Sequence, residues 1–183
     1  MRKLSMEELG RLSAEDFKHA PKTPVMIVLD NIRSMHNVGS VFRTADAFLA
    51  SGICLCGYTP QPPHRDIHKT ALGATETVDW LYFPTTLDAA RALREKGYTL
   101  YAVEQAQGSI PLEQFVPGAG DKIAVIFGNE VGGVDAGVLQ FCDGCIEIPQ
   151  LGTKHSLNIS VAAGIVLWKL AEPIFLNREK TTE

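Results

Sequence analysis

Three short stretches concentrate the side chains able to bind anions, orient a ligand or handle a proton. The first is NIRSMHNVGSVFR, carrying Asn37, Gly39 and Arg43; the second is GNEVGGV, from Gly128 to Val134, carrying Glu130. The third, IPQLGTKHSLNISVAAGIVLWKL from Ile148 to Leu170, sets Lys154, His155, Ser156, Asn158 and Ser160 at the entrance of an otherwise apolar helix. One Ser would cap that helix, and polar groups on an apolar element cost stability, so the density suggests a site. Asn37, Gly39 and Arg43 fall around a helix start, where free backbone amides favour an anion; an N-cap Asn, a packing Gly and a solvated Arg account for the same trio. No GxGxxG follows the first strand, so this is not a dinucleotide fingerprint. The glycines of GNEVGGV let backbone approach a ligand closely, but no GK[ST] follows and a P-loop is excluded. Glu130 reads either as a solvated carboxylate in a first helical turn or as a partner fixing the Arg43 guanidinium across the strand ends.

Other chemistries fit less well. Cys54 and Cys56 form CxC and Cys142 and Cys145 form CxxC. Zinc knuckles present their ligands from turns, whereas the first pair lies within a predicted strand. CDGC closes a helix and opens a strand, the reverse of a thioredoxin-like site, so the cysteines read as small buried hydrophobes and no metal is expected. Ser156 and His155 lack both a GxSxG elbow and a committed acid, which argues against a nucleophilic hydrolase.

The elements that must position these groups alternate regularly. VMIVLD, GICLCG, TVDWLYF, YTLYAVE, KIAVIFG and CIEIPQ read as strands; helices are predicted around Val38 to Ala50, over LDAARALREKG and VDAGVLQFC, and over SLNISVAAGIVLWKLA. Repeated βαβ units predict an α/β fold, a parallel sheet with helices on both faces. Ligands in such sheets lie beyond the carboxyl ends of the strands, where all three polar clusters fall, so one composite site is expected. Ser5 with Glu8 and Ser13 with Asp16 have capping-box spacing and predict a helical N-terminal arm over residues 1–24. Residues 25–172 form the main domain and residues 173–183 a charged tail. The Pro-rich, basic stretch YTPQPPHRDIHK, from Tyr58 to Lys69, reads as a surface loop.

At 183 residues and 45% hydrophobic content the chain predicts one soluble globular domain. Its apolar runs are broken short of a bilayer span, its first residues lack a signal-peptide core, and its four cysteines suit a reducing compartment, so a cytoplasmic protein is expected. A net charge of −4 argues against a general basic field for nucleic acid. The balance is uneven: residues 31–70 carry +2 and three of the five histidines, the remainder −6. Such a local surface holds phosphates, or is a scatter of solvated charge.

Together, NVGSVFRTADAF, IAVIFGNEVGGV and IPQLGTKHSLNISVAAGIVLW resemble, in order and spacing, the three motifs of the SpoU (TrmH-like) branch of the SPOUT RNA methyltransferases. KTALGATETVDW, from Lys69 to Trp80, is also similar, and the resemblance extends from about Val25 to Leu170. It implies methylation of the ribose 2′-hydroxyl of RNA with S-adenosylmethionine, by a SPOUT-type α/β domain whose C-terminal segment threads a trefoil knot. Carried over, cofactor contacts fall at Val103, Gly128, Ile148, Ser156 and Leu157, and the catalytic and substrate side at Asn37, Arg43, Glu130 and Asn158, without a metal. The family's homodimer is implied too, with an active site drawing on both subunits; Ala162, Ala163 and Gly164 of the last helix suit close packing. A guanidinium stays protonated, so Arg43 fits a clamp on the neighbouring phosphate and a stabiliser of the developing alkoxide better than a literal base. With only a short arm and tail added, tRNA is the expected substrate. The alternatives are ribosomal RNA, a catalytically inactive RNA-binding homologue or, setting the resemblance aside, a small-molecule enzyme on a doubly wound sheet.

Overall fold

The computed structural model describes residues 1–5, 7–118 and 120–179, and side chains as far as Phe175. Residues 180–183 of the expected charged tail therefore lie outside the described residues. Seven strands, β1 (Thr23–Asp30), β2 (Ala50–Cys56), β3 (Trp80–Phe83), β4 (Thr99–Val103), β5 (Ile110–Pro111), β6 (Ile123–Phe127) and β7 (Gly144–Glu147), pair in the order β3-β2-β1-β6-β4-β7-β5. Every pair is parallel.

The strand sequences dictate two cores. Successive side chains point to opposite faces, so Val25, Ile27 and Leu29 of β1 and Ile123, Val125 and Phe127 of β6 bury on one side, Val28, Ala124 and Ile126 on the other. The first side is covered by α2 (Met35–Ala47) and α7 (Ile159–Glu179), through Val38, Val41, Phe42, Ala163, Val166 and Leu167. The second is covered by α5 (Thr86–Glu95) and α6 (Ala136–Phe141), through Ala89, Ala90, Leu93 and Val138. No helix among the described residues is long and apolar enough to cross a membrane.

The N-terminal arm is a capped turn followed by α1 (Ala14–His19). Ser5 N donates to Glu8 at 2.8 Å and Glu8 N to Ser5 Oγ at 3.3 Å, while Asp16 N donates to Ser13 Oγ at 3.1 Å. Three differences from the sequence expectations matter below. α3 (Arg65–Ala71) begins within the stretch read as a surface loop and runs past its end, and α4 (Ala74–Thr77) follows it. α2 begins three residues earlier than predicted, capped by Ser34, whose Oγ accepts from Asn37 N at 3.2 Å. α7 runs on through Pro173, so the boundary drawn at residue 173 falls inside a helix.

After β7 the chain does not stay at its edge of the sheet. α7 packs on α2 and β1, so residues 148–158 travel back across the carboxyl ends of β4 and β6. That return places the third polar stretch beside the second.

Candidate active site

Beyond the ends of β4 and β6 lies a cavity of about 600 Å³, within the range of small-molecule sites. Val103, Gly128, Ile148, Ser156 and Leu157, the five positions expected to touch a cofactor, all line it, and so do Glu130 and Asn158. Its floor is apolar, with Phe127, Ile159 and Ala162. One wall is the 128–134 loop, shaped by its own hydrogen bonds. Val131 N and Gly132 N donate to Asn129 Oδ1 at 2.9 and 2.8 Å, and Asn129 and Gly133 pair backbone to backbone. A Cβ on Gly128 would stand 1.9 Å from the Gly133 carbonyl carbon, so the loop folds back only on a glycine. The opposite wall is residues 155–158, tethered where Gln105 Nε2 donates to His155 O at 2.7 Å.

The site's polar side chains form one relay. Asn158 Oδ1 caps α7, accepting from Ser160 N at 2.9 Å and Ser160 Oγ at 2.6 Å, which leaves the Asn158 amide nitrogen to donate to Asn37 Oδ1 at 3.1 Å. Asn37 Nδ2 in turn donates to Glu130 Oε1 at 3.1 Å. Each amide is oriented by the bond it makes on its other side, so the exposed Glu130 carboxylate is held at the cavity mouth from three polar stretches at once.

Arg43 stands elsewhere, and the expected Arg43–Glu130 pair is corrected. Six helical residues beyond Asn37 rotate a side chain by about 240° and carry it ~9 Å along the axis. Arg43 accordingly lines a second hollow with Asp46, Leu72, Gly73, Glu76 and Thr77. Asn37, with its backbone capped by Ser34, takes the place at Glu130.

Sequence reasoning passed over Glu104, which follows β4 and lines the cavity. Its carboxylate accepts from Gln105 N at 2.9 Å and Val134 N at 3.3 Å, fastening strand end to loop. The signal was available, since an acid directly after an apolar strand sits where ligands bind. Asp30 was passed over as well. Fully buried at the end of β1, it accepts from Asn31 Nδ2 at 2.9 Å, Thr86 Oγ1 at 2.5 Å and Asp135 N at 3.0 Å, the last at the cap of α6 just after the loop.

The cysteines are not thiolates. Burial pushes the Cys54 thiol up to about 12 and Cys142, beside Asp143, up to about 11; Cys56 and Cys145 are raised by burial too. Among the described residues no three His, Cys, Asp or Glu side chains gather into a metal-holding group.

The lining suits a cationic ligand with a nucleoside-sized apolar part. It contains two carboxylates, Glu104 and Glu130, and no Lys or Arg. A sulfonium fits such a wall, and the tight glycine loop and apolar floor fit an adenosine held through backbone groups.

Known proteins point the same way. Residues 24–168 match the SpoU rRNA Methylase family. The chain is 31% identical over 157 residues to the 23S rRNA (guanosine-2′-O-)-methyltransferase RlmB of Neisseria meningitidis, covering 86% of this chain and 62% of that enzyme. It is 31% identical over 168 residues to the tRNA (guanosine(18)-2′-O)-methyltransferase of Thermus thermophilus, covering 88% of this chain and 81% of that one. The AdoMet-bound rRNA methyltransferase from Sinorhizobium meliloti superposes with a TM-score of 0.77 at 27% identity, over 86% of this chain and 60% of its own. The chain thus spans under two thirds of the Neisseria enzyme's length, while the family match over residues 24–168 takes in the cavity lining and the Asn37, Arg43, Glu130 and Asn158 positions. It belongs to the SpoU rRNA Methylase family.

Proposed function

We propose that this protein transfers a methyl group from S-adenosylmethionine to a ribose 2′-hydroxyl of RNA, with tRNA as the substrate. The observation that carries the reading is the relay from Ser160 through Asn158 and Asn37 to Glu130, set at the mouth of a cavity without Lys or Arg. S-adenosylmethionine held there would supply an electrophilic methyl group, with a neutral thioether as the leaving group. What the protein must add is position and charge control. Val103, Gly128, Ile148, Ser156 and Leu157 would enclose the cofactor; Glu130, oriented by Asn37, would accept the hydrogen bond of the incoming ribose hydroxyl and take up its proton as the oxygen gains the methyl. Arg43 belongs to the RNA side, clamping a phosphate next to the reacting sugar.

Because Arg43 lies away from the cavity of its own chain, it serves the cavity of a second copy, in keeping with the homodimer the family resemblance implies. Val161, Ile165 and Trp168 support that dimer: they are 50, 38 and 57% exposed and recur at four and three residues along one face of α7. The knotted path is proposed with it, supported by the return of residues 148–158 over the ends of β4 and β6 and by the Gln105–His155 tether. A cytoplasmic location follows from the RNA substrate.

The RlmB relative keeps ribosomal RNA as the second reading. The test is transfer of labelled methyl from S-adenosylmethionine to purified tRNA and to ribosomal RNA, with S-adenosylhomocysteine affinity measured alongside. Label in tRNA with micromolar product binding is expected; product binding without label in any RNA would leave only the inactive homologue.

A further inference from the structure

At the end of β2 the chain presents an aromatic ring that the fold itself does not use. Tyr58 is 53% exposed, yet the backbone around it is fixed on both sides. Tyr58 N donates to Asn31 Oδ1 at 3.2 Å, and Asn31 is held by the buried Asp30. The next residue, Thr59, is 2% exposed; its hydroxyl donates to Leu29 O at 3.1 Å and accepts from Ile32 N at 3.0 Å. Gly57 adopts φ +61°, and a Cβ there would strike Asn31 Oδ1, so the strand ends approach as closely as a glycine allows. The ends of β1 and β2 are therefore laced together twice, and Tyr58 and Arg33 project from beside the laces. The Arg33 guanidinium lies 5.8 Å from the Tyr58 ring centre.

A rigidly mounted, exposed ring beside a guanidinium is a stacking surface prepared in advance, and little entropy is lost when a flat partner settles on it. Its surroundings are the basic part of an acidic molecule, residues 31–70 with their net +2. Its position relates it to the cavity. β2, β1 and β6 are consecutive and parallel, so the ends of β2 and β6 lie on one edge of the sheet, ~10 Å apart at the usual strand spacing.

We infer that Tyr58, with Arg33 beside it, is the platform on which an unpaired base flanking the target nucleotide stacks, so that the substrate is looped or single-stranded RNA at the point of methylation. The inference rests on the RNA reading proposed above. In a duplex the faces of the bases are covered by their neighbours, and only a splayed base offers one to Tyr58. Arg33 holds the adjoining phosphate.

The test is steady-state methyl transfer to a tRNA that the unsubstituted protein modifies, comparing Tyr58→Ala, Tyr58→Phe and Arg33→Ala, with S-adenosylhomocysteine affinity for each. Tyr58→Ala should raise KM for the RNA about five- to hundredfold, the range of a lost base–aromatic stack, leaving kcat and product affinity nearly unchanged. Tyr58→Phe should keep the original KM, and Arg33→Ala should raise KM while flattening its dependence on salt by about one charge. An unchanged KM for Tyr58→Ala, or Tyr58→Phe as defective as Tyr58→Ala, overturns the platform. Absence of any transfer by the unsubstituted protein overturns the functional reading first and this inference with it.

Discussion

Asn37 can stand at the centre of the relay because Ser34 caps α2 in its place. With the cap supplied three residues earlier, the Asn37 amide is left to bridge Asn158 and Glu130. Substituting Asn158 by Ala removes the α7 cap, at a cost of about 1 kcal/mol, and frees Asn37 to rotate. Both S-adenosylhomocysteine affinity and methyl transfer should fall, and calorimetry beside a transfer assay separates the two. Arg43→Ala should behave differently, because Arg43 lines another hollow. Transfer should drop about hundredfold or more, as for lost transition-state charge stabilisation, with product affinity unchanged. The residue types of this site were legible in the sequence, since an Asn, a Glu and a second Asn stand out at three strand ends. Their partners were not. Ser34 and Asn37 are equally good caps on paper, and only the phase of the folded helix shows that Arg43 turns away from Glu130.

At the scale of elements, the six long strands were legible because each is an apolar run of the right length between turn residues. α3 was hidden by Pro62, Pro63 and His64 immediately before it, and β5 is two residues long, too short to leave a pattern. Asp30 shows what periodicity cannot convey, a carboxylate ending an apolar strand that ties α5 and the cap of α6, just after the loop forming the cavity wall, to the end of β1. Asp30→Ala leaves the buried Thr86 hydroxyl and the Asp135 amide without their acceptor, and should cost about 3 kcal/mol in urea unfolding. The buried thiols make a second prediction. Their protonated form is favoured in the folded state, so their contribution is fully present below the ordinary thiol value of 9.0 and is lost as pH rises toward about 12. Stability measured from pH 8 upward should decline across that window, and alkylation of Cys54 and Cys56 at pH 8 should require unfolding.

For the whole molecule, strand order was the least legible feature. Hydropathy says which segments are strands but not which are neighbours, and placing β6 between β1 and β4 is what brings the three polar stretches to one edge. The expectation of one composite site rested on the strand-end rule and on the three motifs of the family resemblance, neither of which gave the order β3-β2-β1-β6-β4-β7-β5. The exposed face of α7 carries the corresponding prediction about assembly. Ile165→Asp should convert a dimer to monomer in sedimentation at micromolar concentration; an unchanged dimer would move the interface elsewhere, and a monomeric unsubstituted protein would remove it. The central claim, that the methyl goes to a ribose oxygen of RNA, is tested most directly by alkaline hydrolysis of RNA labelled by this protein. A 2′-hydroxyl is the nucleophile that cleaves the adjoining phosphodiester, so a methylated one protects it. The account predicts that the label is recovered in alkali-resistant dinucleotides; label released entirely as mononucleotides would place the methyl on a base and contradict it.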